Sequence, residues 1–258
     1  MFDLNKGLLD YMTNGLHLFS EPWQYTLVLL CFVLVSIVAA YFLGSINSAI
    51  FISKLLYRDD IRNHGSGNGG MTNMLRTFGK GAAGLTLLGD LLKTVIAIVI
   101  SGLLLGFNYA GGICHGDGYC YVAGLFAVLG HIFPIYYGFK GGKGVLVTAA
   151  MALVLTPLPF LILLAIFVLV VWLSKYVSLG SVISAILYPI VLTGYIKVMG
   201  APLPGLLTLS TILIAIIIVY CHRENLQRIS DRTERKLSFK KKDVEINKTN
   251  SDEESDDE

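Results

Sequence analysis

Three glycine-rich polar segments hold most of the small hydroxyls, amides and cations of a chain that is otherwise largely apolar. They are block 1 (residues 44–48, GSINS), block 2 (residues 65–76, GSGNGGMTNMLR) and block 3 (residues 130–144, GHIFPIYYGFKGGKG). Such segments favour anion binding, because they present N–H and O–H donors and positive charge with few carboxylates. A site in this protein is therefore expected in the blocks.

Block 2 alternates glycines with side chains that carry hydroxyls and amides. Glycines allow positive φ, so several backbone N–H groups can point inward and cradle anionic oxygens. Arg76 follows Asn73 by one helical turn, and its planar fork of donors suits a phosphate. The alternative is a tight connection that binds nothing. The candidate ligand-binding residues of block 2 are Ser66, Gly67, Asn68, Thr72, Asn73 and Arg76.

Block 3 places Lys140 and Lys143 on either side of Gly141 and Gly142. It is not a Walker A loop, because no Ser or Thr follows the Gly-Lys pair. The lysines are candidate phosphate contacts, although lysines near spans also snorkel to the membrane interface. His131 could donate to a phosphate, act as a base, or serve packing alone.

Two further pairs lie outside the blocks. Asp90 and Lys93 stand three residues apart within an apolar run, where ionisable groups are costly, so either a structural salt bridge or a role in chemistry is predicted. Ser178 and Ser181 begin another apolar run, one helical turn apart. They share a helix face with each other.

Composition identifies the elements that must position these residues. The chain has 258 residues, of which 54% are hydrophobic and 15% are charged, and its mean hydropathy is +0.67. These values are typical of an integral membrane protein with one helical bundle. The four cysteines form no CxxC pattern, so neither a metal site nor a cofactor is predicted, and a disulfide between Cys114 and Cys120 is left open.

We predict an all-α bundle of seven transmembrane helices. The stretch 144–174 is divided in two, because 31 residues at ~1.5 Å each would overshoot a ~30 Å hydrocarbon core by about half. The break is placed at the two prolines, Pro157 and Pro159. The predicted spans are residues 26–43, 82–107, 119–137, 144–157, 159–174, 177–198 and 203–221.

With seven spans, nearly all the loop lysines and arginines fall on one side of the membrane. The positive-inside rule makes that side cytoplasmic, so the three blocks and the C-terminus are cytoplasmic and the N-terminus is outside. Residues 1–25 form a short N-terminal extension, for which an interfacial helix is one option. Residues 26–237 form the transmembrane domain, and residues 238–258 form a charged tail that is expected to be disordered.

At this level of detail the sequence resembles the bacterial membrane-bound acyl-phosphate:glycerol-3-phosphate acyltransferases. The family's motifs look like Gly44-Ser-Ile-x-Ser48, the run from Gly65 to Arg76, and block 3. The similarity extends to Asp90 and Lys93, to Ser178 and Ser181, and beyond the last span to His222, Asn225, Thr233 and Glu234. It covers residues 26–237, which makes residues 26–237 an acyltransferase domain by resemblance.

The resemblance implies transfer of a fatty acyl group from acyl phosphate to the sn-1 hydroxyl of glycerol 3-phosphate, which yields lysophosphatidic acid and phosphate, the first acylation of phospholipid synthesis. It implies a multi-pass protein of the bacterial plasma membrane, working as a monomer among membrane lipid, without cofactor or nucleic acid. By matching position, Ser45, Arg76, Lys143, Ser181, His222 and Asn225 contact the phosphates or the glycerol. Thr72 and Asn73 shape the pocket, and Asp90, Lys93 and Glu234 support it.

The residues fit this chemistry. Acyl phosphate is a mixed anhydride with a good leaving group, so alignment and charge stabilisation matter more than a strong nucleophile. No carboxylate is plainly placed as a base, and a substrate phosphate could take the hydroxyl proton. The sequence departs from the family pattern at Asn47 (usually proline), Gly69 (usually aliphatic), Met71 (usually alanine) and Arg232 (usually glycine).

Other functions fit less well. An acyl-CoA-dependent enzyme of the soluble-headed type needs a His-x4-Asp pair, which is missing from the sequence, and a CDP-alcohol phosphotransferase needs a cluster of aspartates. The alternative from another class is a membrane transporter of a phosphorylated small molecule. A transporter would predict a midplane site and a repeat between halves, whereas the polar blocks lie at one rim.

Overall fold

The computed structural model describes residues 2–107, 109–110, 113–114 and 118–237. The fold is a helical bundle, as predicted, with one two-residue antiparallel β ladder in which Tyr109 pairs with Cys114. The elements are α1 (Gly7–Asp10), a π turn (Tyr11–Gly15), α2 (Pro22–Ser45), α3 (Ser48–Tyr57), a 3-10 turn (Ile61–Asn63), α4 (Met71–Thr77), α5 (Gly79–Leu105), β1 (Tyr109–Ala110), β2 (Ile113–Cys114), α6 (Tyr119–Ile132), a 3-10 turn (Ile135–Tyr137), α7 (Val145–Leu155), α8 (Pro157–Ser174), α9 (Val177–Val198), α10 (Gly205–Cys221) and α11 (Arg223–Ser230).

The long apolar helices make this a multi-pass membrane protein. Within the described residues, five helical segments are long and apolar enough to cross a membrane, and α10 with α11, bent by 51°, makes a sixth. Helix α7 has 11 residues and is therefore about 16 Å long, roughly half of a hydrocarbon core. By length and composition the described residues thus provide five or six spans, against the seven predicted from the sequence.

The first predicted span is longer and more sharply bounded than expected. Helix α2 begins with Pro22 at its first turn and with a capping box between Glu21 and Gln24, so it starts four residues before residue 26. It ends at Ser45, and the chain then bends and starts α3, a separate helix that the spans did not include. Block 1 therefore lies at a helix break.

The predicted break between the two middle helices is confirmed. Thr156 is fully buried between α7 and α8 and ends α7 with an extended φ of −147°. Pro157 follows at the first position of α8, where its missing N–H has no partner to lose. The two prolines thus turn the chain instead of kinking one long helix.

Glycines of blocks 1 and 3 let α2 and α6 pack at very short range. A Cβ at Gly44 would lie 2.2 Å from the Ala127 carbonyl oxygen, and a Cβ at Gly130 would lie 2.2 Å from the Tyr41 carbonyl oxygen. Small residues at such crossings allow close van der Waals contact between membrane helices. These two glycines therefore serve packing and not a ligand.

The N-terminal extension is attached to the bundle. Gly7 and Gly106 both adopt positive φ, and a Cβ at Gly7 would lie 2.3 Å from the Gly106 nitrogen. Leu9 is buried in the same contact region of α1.

Two predictions fall outside the described residues. One is the charged tail, residues 238–258, and the other is the disulfide between Cys114 and Cys120, because the side chain of Cys114 is not described.

Candidate functional site

A cavity of about 490 Å³ opens among α4, α5, α7, α8, α9 and the residues after α10. Its mouth is polar and cationic, whereas its depth is apolar. The polar residues that line the mouth include Ser66, Asn68, Thr72, Asn73, Arg76, Lys143, Ser178, Ser181, His222, Asn225, Glu234 and Arg235, and Asp90, His131, Thr148 and Ser184 also line the cavity. The apolar lining includes Leu87, Leu91, Leu146, Leu153, Phe160, Leu163, Phe167 and Tyr188.

Asn73 holds block 2 in a compact loop. Its side-chain oxygen accepts from the Ser66 N–H at 3.0 Å, and its amide nitrogen lies 2.9 Å from the His64 carbonyl and 3.1 Å from the Asn68 carbonyl. Gly65 has a φ of +60°, and a Cβ there would lie 2.2 Å from the Asn73 oxygen. The predicted glycine loop is therefore present, with Asn73 as its internal support. The N–H groups of residues 66, 67, 69 and 70 donate within the protein, however, so the prediction that the loop backbone cradles an anion is wrong for these four groups.

A hydrogen-bonded network joins block 3 to the end of the chain. The Lys143 ammonium donates to the side-chain oxygen of Asn225, whose amide donates to Glu234 at 2.7 Å. Glu234 also accepts from Ser178 at 2.8 Å and from the Arg228 Nε at 2.8 Å. Its carboxylate therefore orients Asn225 and, through it, the cation at the mouth.

The electrostatics of this network keep Glu234 ionised. Burial alone would raise the Glu234 pKa, but hydrogen bonds from Asn225, Arg228 and Ser178 outweigh it, so the pKa lies below the ordinary value. Burial lowers the pKa of Lys143, and the charge of Arg228 lowers it further. A carboxylate so occupied is a poor general base and a good anchor.

Two more residues of the mouth present unused hydrogen-bonding groups. Arg76 lines the cavity and makes no hydrogen bond or ion pair within the described part of the chain. His222 is buried, and its Nδ1 lies 2.8 Å from the Ile218 carbonyl oxygen. A carbonyl only accepts, so Nδ1 carries a proton and Nε2 remains for a ligand.

The apolar part of the cavity runs from the polar mouth along α7 and α9. From Ser178 to Tyr188 the depth is ten residues of helix, or ~15 Å. Tyr188, which is 2% exposed, lies at the far end beside the turn that contains Thr156. The cavity therefore fits an amphiphile with an anionic head and an extended apolar tail.

Asp90, Lys93 and His131 form a buried cluster beside the cavity. The Lys93 Nζ lies 2.7 Å from an Asp90 carboxylate oxygen and 3.0 Å from the His131 Nδ1. It also donates to the Ile46 carbonyl at the α2–α3 break, at 2.9 Å. Asp90 and His131 line the cavity, whereas Lys93 does not. The salt bridge, one of the two roles predicted for this pair, is thus present, and the cluster joins α5, α6 and the α2–α3 break.

Several predicted site residues lie outside the cavity lining: Ser45, Gly67, Lys140, Gly141 and Gly142. The Ser45 hydroxyl is fully buried and donates to the Tyr41 carbonyl at 2.8 Å. A Cβ at Gly142 would lie 2.1 Å from the His131 Nε2, so this glycine permits close packing. The roles of these residues as substrate contacts stay predictions.

Sequence reasoning missed residues that hold or extend the site. Arg62 pairs with Asp60 at 2.7 Å and donates to the carbonyls of Tyr137 and Lys140, at 2.8 and 3.1 Å, which fixes block 3. The proximity of Asp60 and Arg62 in the sequence could have indicated this ion pair. Arg235 lines the mouth, and nothing in its local sequence marks it out from the other basic residues after α10.

Together these features define a multi-pass membrane protein with an amphipathic cavity whose cationic mouth fits phosphate. The family model described as glycerol-3-phosphate acyltransferase matches residues 34–232. The chain belongs to this family.

Among curated relatives, the glycerol-3-phosphate acyltransferase of Syntrophomonas wolfei is 43% identical over 204 residues, covering 79% of this chain and 96% of that protein. That of Bacillus subtilis is 37% identical over 203 residues, covering 79% and 96%.

Solved structures agree with the sequence comparison. A crystal structure of PlsY (YgiH), an integral membrane glycerol 3-phosphate acyltransferase, in its glycerol 3-phosphate form has a TM-score of 0.68 to this chain at 32% identity. The alignment covers 80% of this chain and 96% of that one. The lysophosphatidic acid form of PlsY has a TM-score of 0.66 at 31% identity and covers 80% and 95%.

Proposed function

We propose that the protein transfers a fatty acyl group from acyl phosphate to the sn-1 hydroxyl of glycerol 3-phosphate, producing lysophosphatidic acid and inorganic phosphate. The observation that carries the proposal is the cavity itself, in which a cationic mouth leads into an apolar channel. One end fits phosphates and the other fits an acyl chain, and both reactants of the proposed reaction carry a phosphate.

Acyl phosphate suits the side chains of the mouth. None of the serines that line the cavity hydrogen-bonds to a histidine within the described residues, so an activated serine nucleophile has no support. A mixed anhydride does not need one, because phosphate is already a good leaving group. Direct attack by the glycerol hydroxyl is therefore the simplest route.

In this reaction the glycerol oxygen bonds to the acyl carbon, and the bond from that carbon to the phosphate oxygen breaks. The hydroxyl proton goes to a phosphate, which leaves as hydrogen phosphate. Lys143 and Arg76 are placed to stabilise the negative charge that grows on the phosphate and carbonyl oxygens. Asn225, held by Glu234, keeps Lys143 oriented toward the cavity.

The finer topology belongs to the same proposal. Helix α7 starts at the mouth after Gly144, and α8 ends near it, where the Lys175 carbonyl accepts from the Leu237 N–H at 2.7 Å. Helices α7 and α8 together thus leave the mouth and return to it, which supports two short passes and seven in all. The blocks and C-terminus would then be cytoplasmic, with the N-terminus outside, in a bacterial plasma membrane. One chain builds the whole cavity, which supports a monomer.

A transporter of phosphorylated solutes is not favoured. Its substrate site would lie near the midplane between two repeats. Here the cationic groups lie at one end of the bundle, at the ends of helices, and the family match is to an acyltransferase.

Purified protein should release inorganic phosphate from palmitoyl phosphate only when glycerol 3-phosphate is present, and lysophosphatidic acid should form in equal amount. Palmitoyl-CoA serves as the alternative donor in a parallel assay. Turnover with the thioester alone, or no turnover with either donor, would sink the proposal.

Replacing Tyr188 by Ala is expected to favour longer donors. An extended chain advances ~1.2 Å per bond, so ~15 Å of depth holds about 12 bonds before Tyr188. Each further buried CH₂ is worth ~0.8 kcal/mol, so kcat/KM for myristoyl phosphate relative to lauroyl phosphate, which is two CH₂ groups shorter, should rise roughly tenfold. Competition assays with both donors measure this ratio.

The matched control is Tyr220→Ala, because Tyr220 is 60% exposed on α10 and does not line the cavity. An unchanged ratio in the Tyr188 variant would mean that the chain leaves sideways past Leu153 and Leu164, which line the cavity and are also exposed.

A further inference from the structure

Block 1 contributes no residue to the cavity lining. The side-chain amide of its Asn47 is nevertheless fully buried, and both its oxygen and its nitrogen form hydrogen bonds. The Asn47 side-chain oxygen accepts from the Ile50 N–H at 3.0 Å, which caps α3. The Asn47 side-chain nitrogen donates to the Gly69 carbonyl, in block 2, at 3.0 Å. The Asn47 side chain therefore connects the start of α3 to block 2.

Gly69, in block 2, is bonded to both of the other blocks. Its carbonyl accepts from Asn47, and its N–H donates to the Gly141 carbonyl of block 3 at 3.3 Å. A Cβ at this position would lie 3.1 Å from Ile50 and 3.3 Å from the Asn47 oxygen, so only glycine fits without displacing its neighbours. All three blocks meet at this residue.

The residues on either side of Gly69 belong to the site. Asn68 and Gly70 line the cavity, and the Gly70 N–H donates to the Asn68 carbonyl at 3.0 Å. A change in the position of Gly69 is therefore transmitted directly to the mouth. Because Gly69 also bonds to Gly141, the loop that carries Lys143 shifts with it.

Asn47 and Gly69 are two of the positions at which the sequence departs from the family pattern. In the structure these two residues are in contact, because the Asn47 amide donates to the Gly69 carbonyl. Proline at 47 has no side-chain donor, and an aliphatic side chain at 69 would press on Ile50 and Asn47. Asn47 is therefore compatible with Gly69, whereas an aliphatic side chain at position 69 would crowd it; with proline at 47, the Gly69 carbonyl would lose its bond from the Asn47 amide.

We propose that Asn47 is a positioning residue that sets the affinity of the mouth for phosphorylated substrates by clamping Gly69. This inference rests on the proposed acyl transfer for its kinetic readout. The clamp acts on the loops and not on the reacting atoms, so its loss should raise KM more than it lowers kcat.

Asn47→Ser separates the clamp from the helix cap. Serine caps a helix as well as asparagine does, but its hydroxyl is too short to reach Gly69. We expect KM for glycerol 3-phosphate and for acyl phosphate each to rise roughly tenfold, with kcat within about threefold of wild type and little change in Tm. Asn47→Ala, which loses the cap as well, should lower Tm and raise KM.

A double-mutant cycle with Gly69→Ala tests the contact itself. Alone, Gly69→Ala should raise both KM values, because its Cβ pushes the loop from Asn47 and Ile50. In the Asn47→Ser background it should add less than threefold, since the clamp is already gone. Fully multiplicative effects, or a fall in kcat with KM unchanged, would overturn the proposal.

Hydrogen exchange keeps this test separate from the activity. In Asn47→Ser, amides of residues 68–72 should exchange roughly tenfold faster than in wild type, while those of α9 are unchanged. Wild-type protein without turnover would refute the proposed function and leave this measurement valid. Unchanged exchange in an active enzyme would refute the clamp alone.

Discussion

Lys143→Met is expected to lower kcat/KM by about a hundred- to a thousandfold while the protein remains folded. Lys143 is a half-buried cation at the mouth, oriented by Asn225, and methionine keeps the length of the side chain without its charge. Removing one preorganised donor to a developing negative charge costs about 10²–10³ in kcat. Steady-state phosphate release with palmitoyl phosphate and glycerol 3-phosphate measures the loss.

Lys80→Met is the matched control. Lys80 is also a lysine close to the start of a helix, but it is exposed and does not line the cavity, so activity should stay within about twofold of wild type. Equal losses in the two variants would place the substrate phosphate outside the cavity and contradict the site described above.

The pH profile gives the same prediction a second readout. Burial lowers the pKa of Lys143, and the nearby Arg228 lowers it further. The charged form is present below this lowered pKa and is lost as pH rises through it, so the alkaline limb should begin below the ordinary lysine value of ~10.4. Arg stays protonated, so Lys143→Arg should move that limb to higher pH.

Local signals in the sequence accounted for much of the fold. The two prolines predicted the turn between α7 and α8, because each is tolerated at a helix start and not inside one. The spacing of Asp90 and Lys93 indicated an ion pair as one of two roles, because residues three apart on a helix lie on the same face, and the structure contains that pair. Helix α3 was missed because its ten residues are too short to read as a span.

Contacts between distant segments could not be predicted in the same way. The bond between Lys143 and Asn225 joins residues 82 apart, and they come together because α6 packs against both α7 and α10. The glycine signal was also ambiguous. Gly65 allows the tight fold of block 2, whereas Gly130 allows close packing of α6 against α2. The sequence does not distinguish a glycine needed for a loop from one needed for contact between helices.

Lys93→Met is expected to destabilise the protein by about 3–5 kcal/mol, because it leaves the buried Asp90 carboxylate without its partner. Asp90 is 1% exposed, and the remaining neighbour, His131, lies 3.6 Å away. At 2–4 °C per kcal/mol, Tm in detergent should fall by roughly 6–20 °C. Thermal unfolding followed by circular dichroism measures the shift, with the exposed Lys197→Met as the control.

The double variant Asp90→Asn/Lys93→Met separates the charge from the packing. It removes the unpaired carboxylate, so it should recover at least half of the Tm lost by the single variant, although the bond from Lys93 to the Ile46 carbonyl stays missing. A double variant no more stable than Lys93→Met would mean that Asp90 is not charged in the folded protein. The pair would then act through its contact with block 1 at Ile46, and catalysis would fall together with stability in both variants.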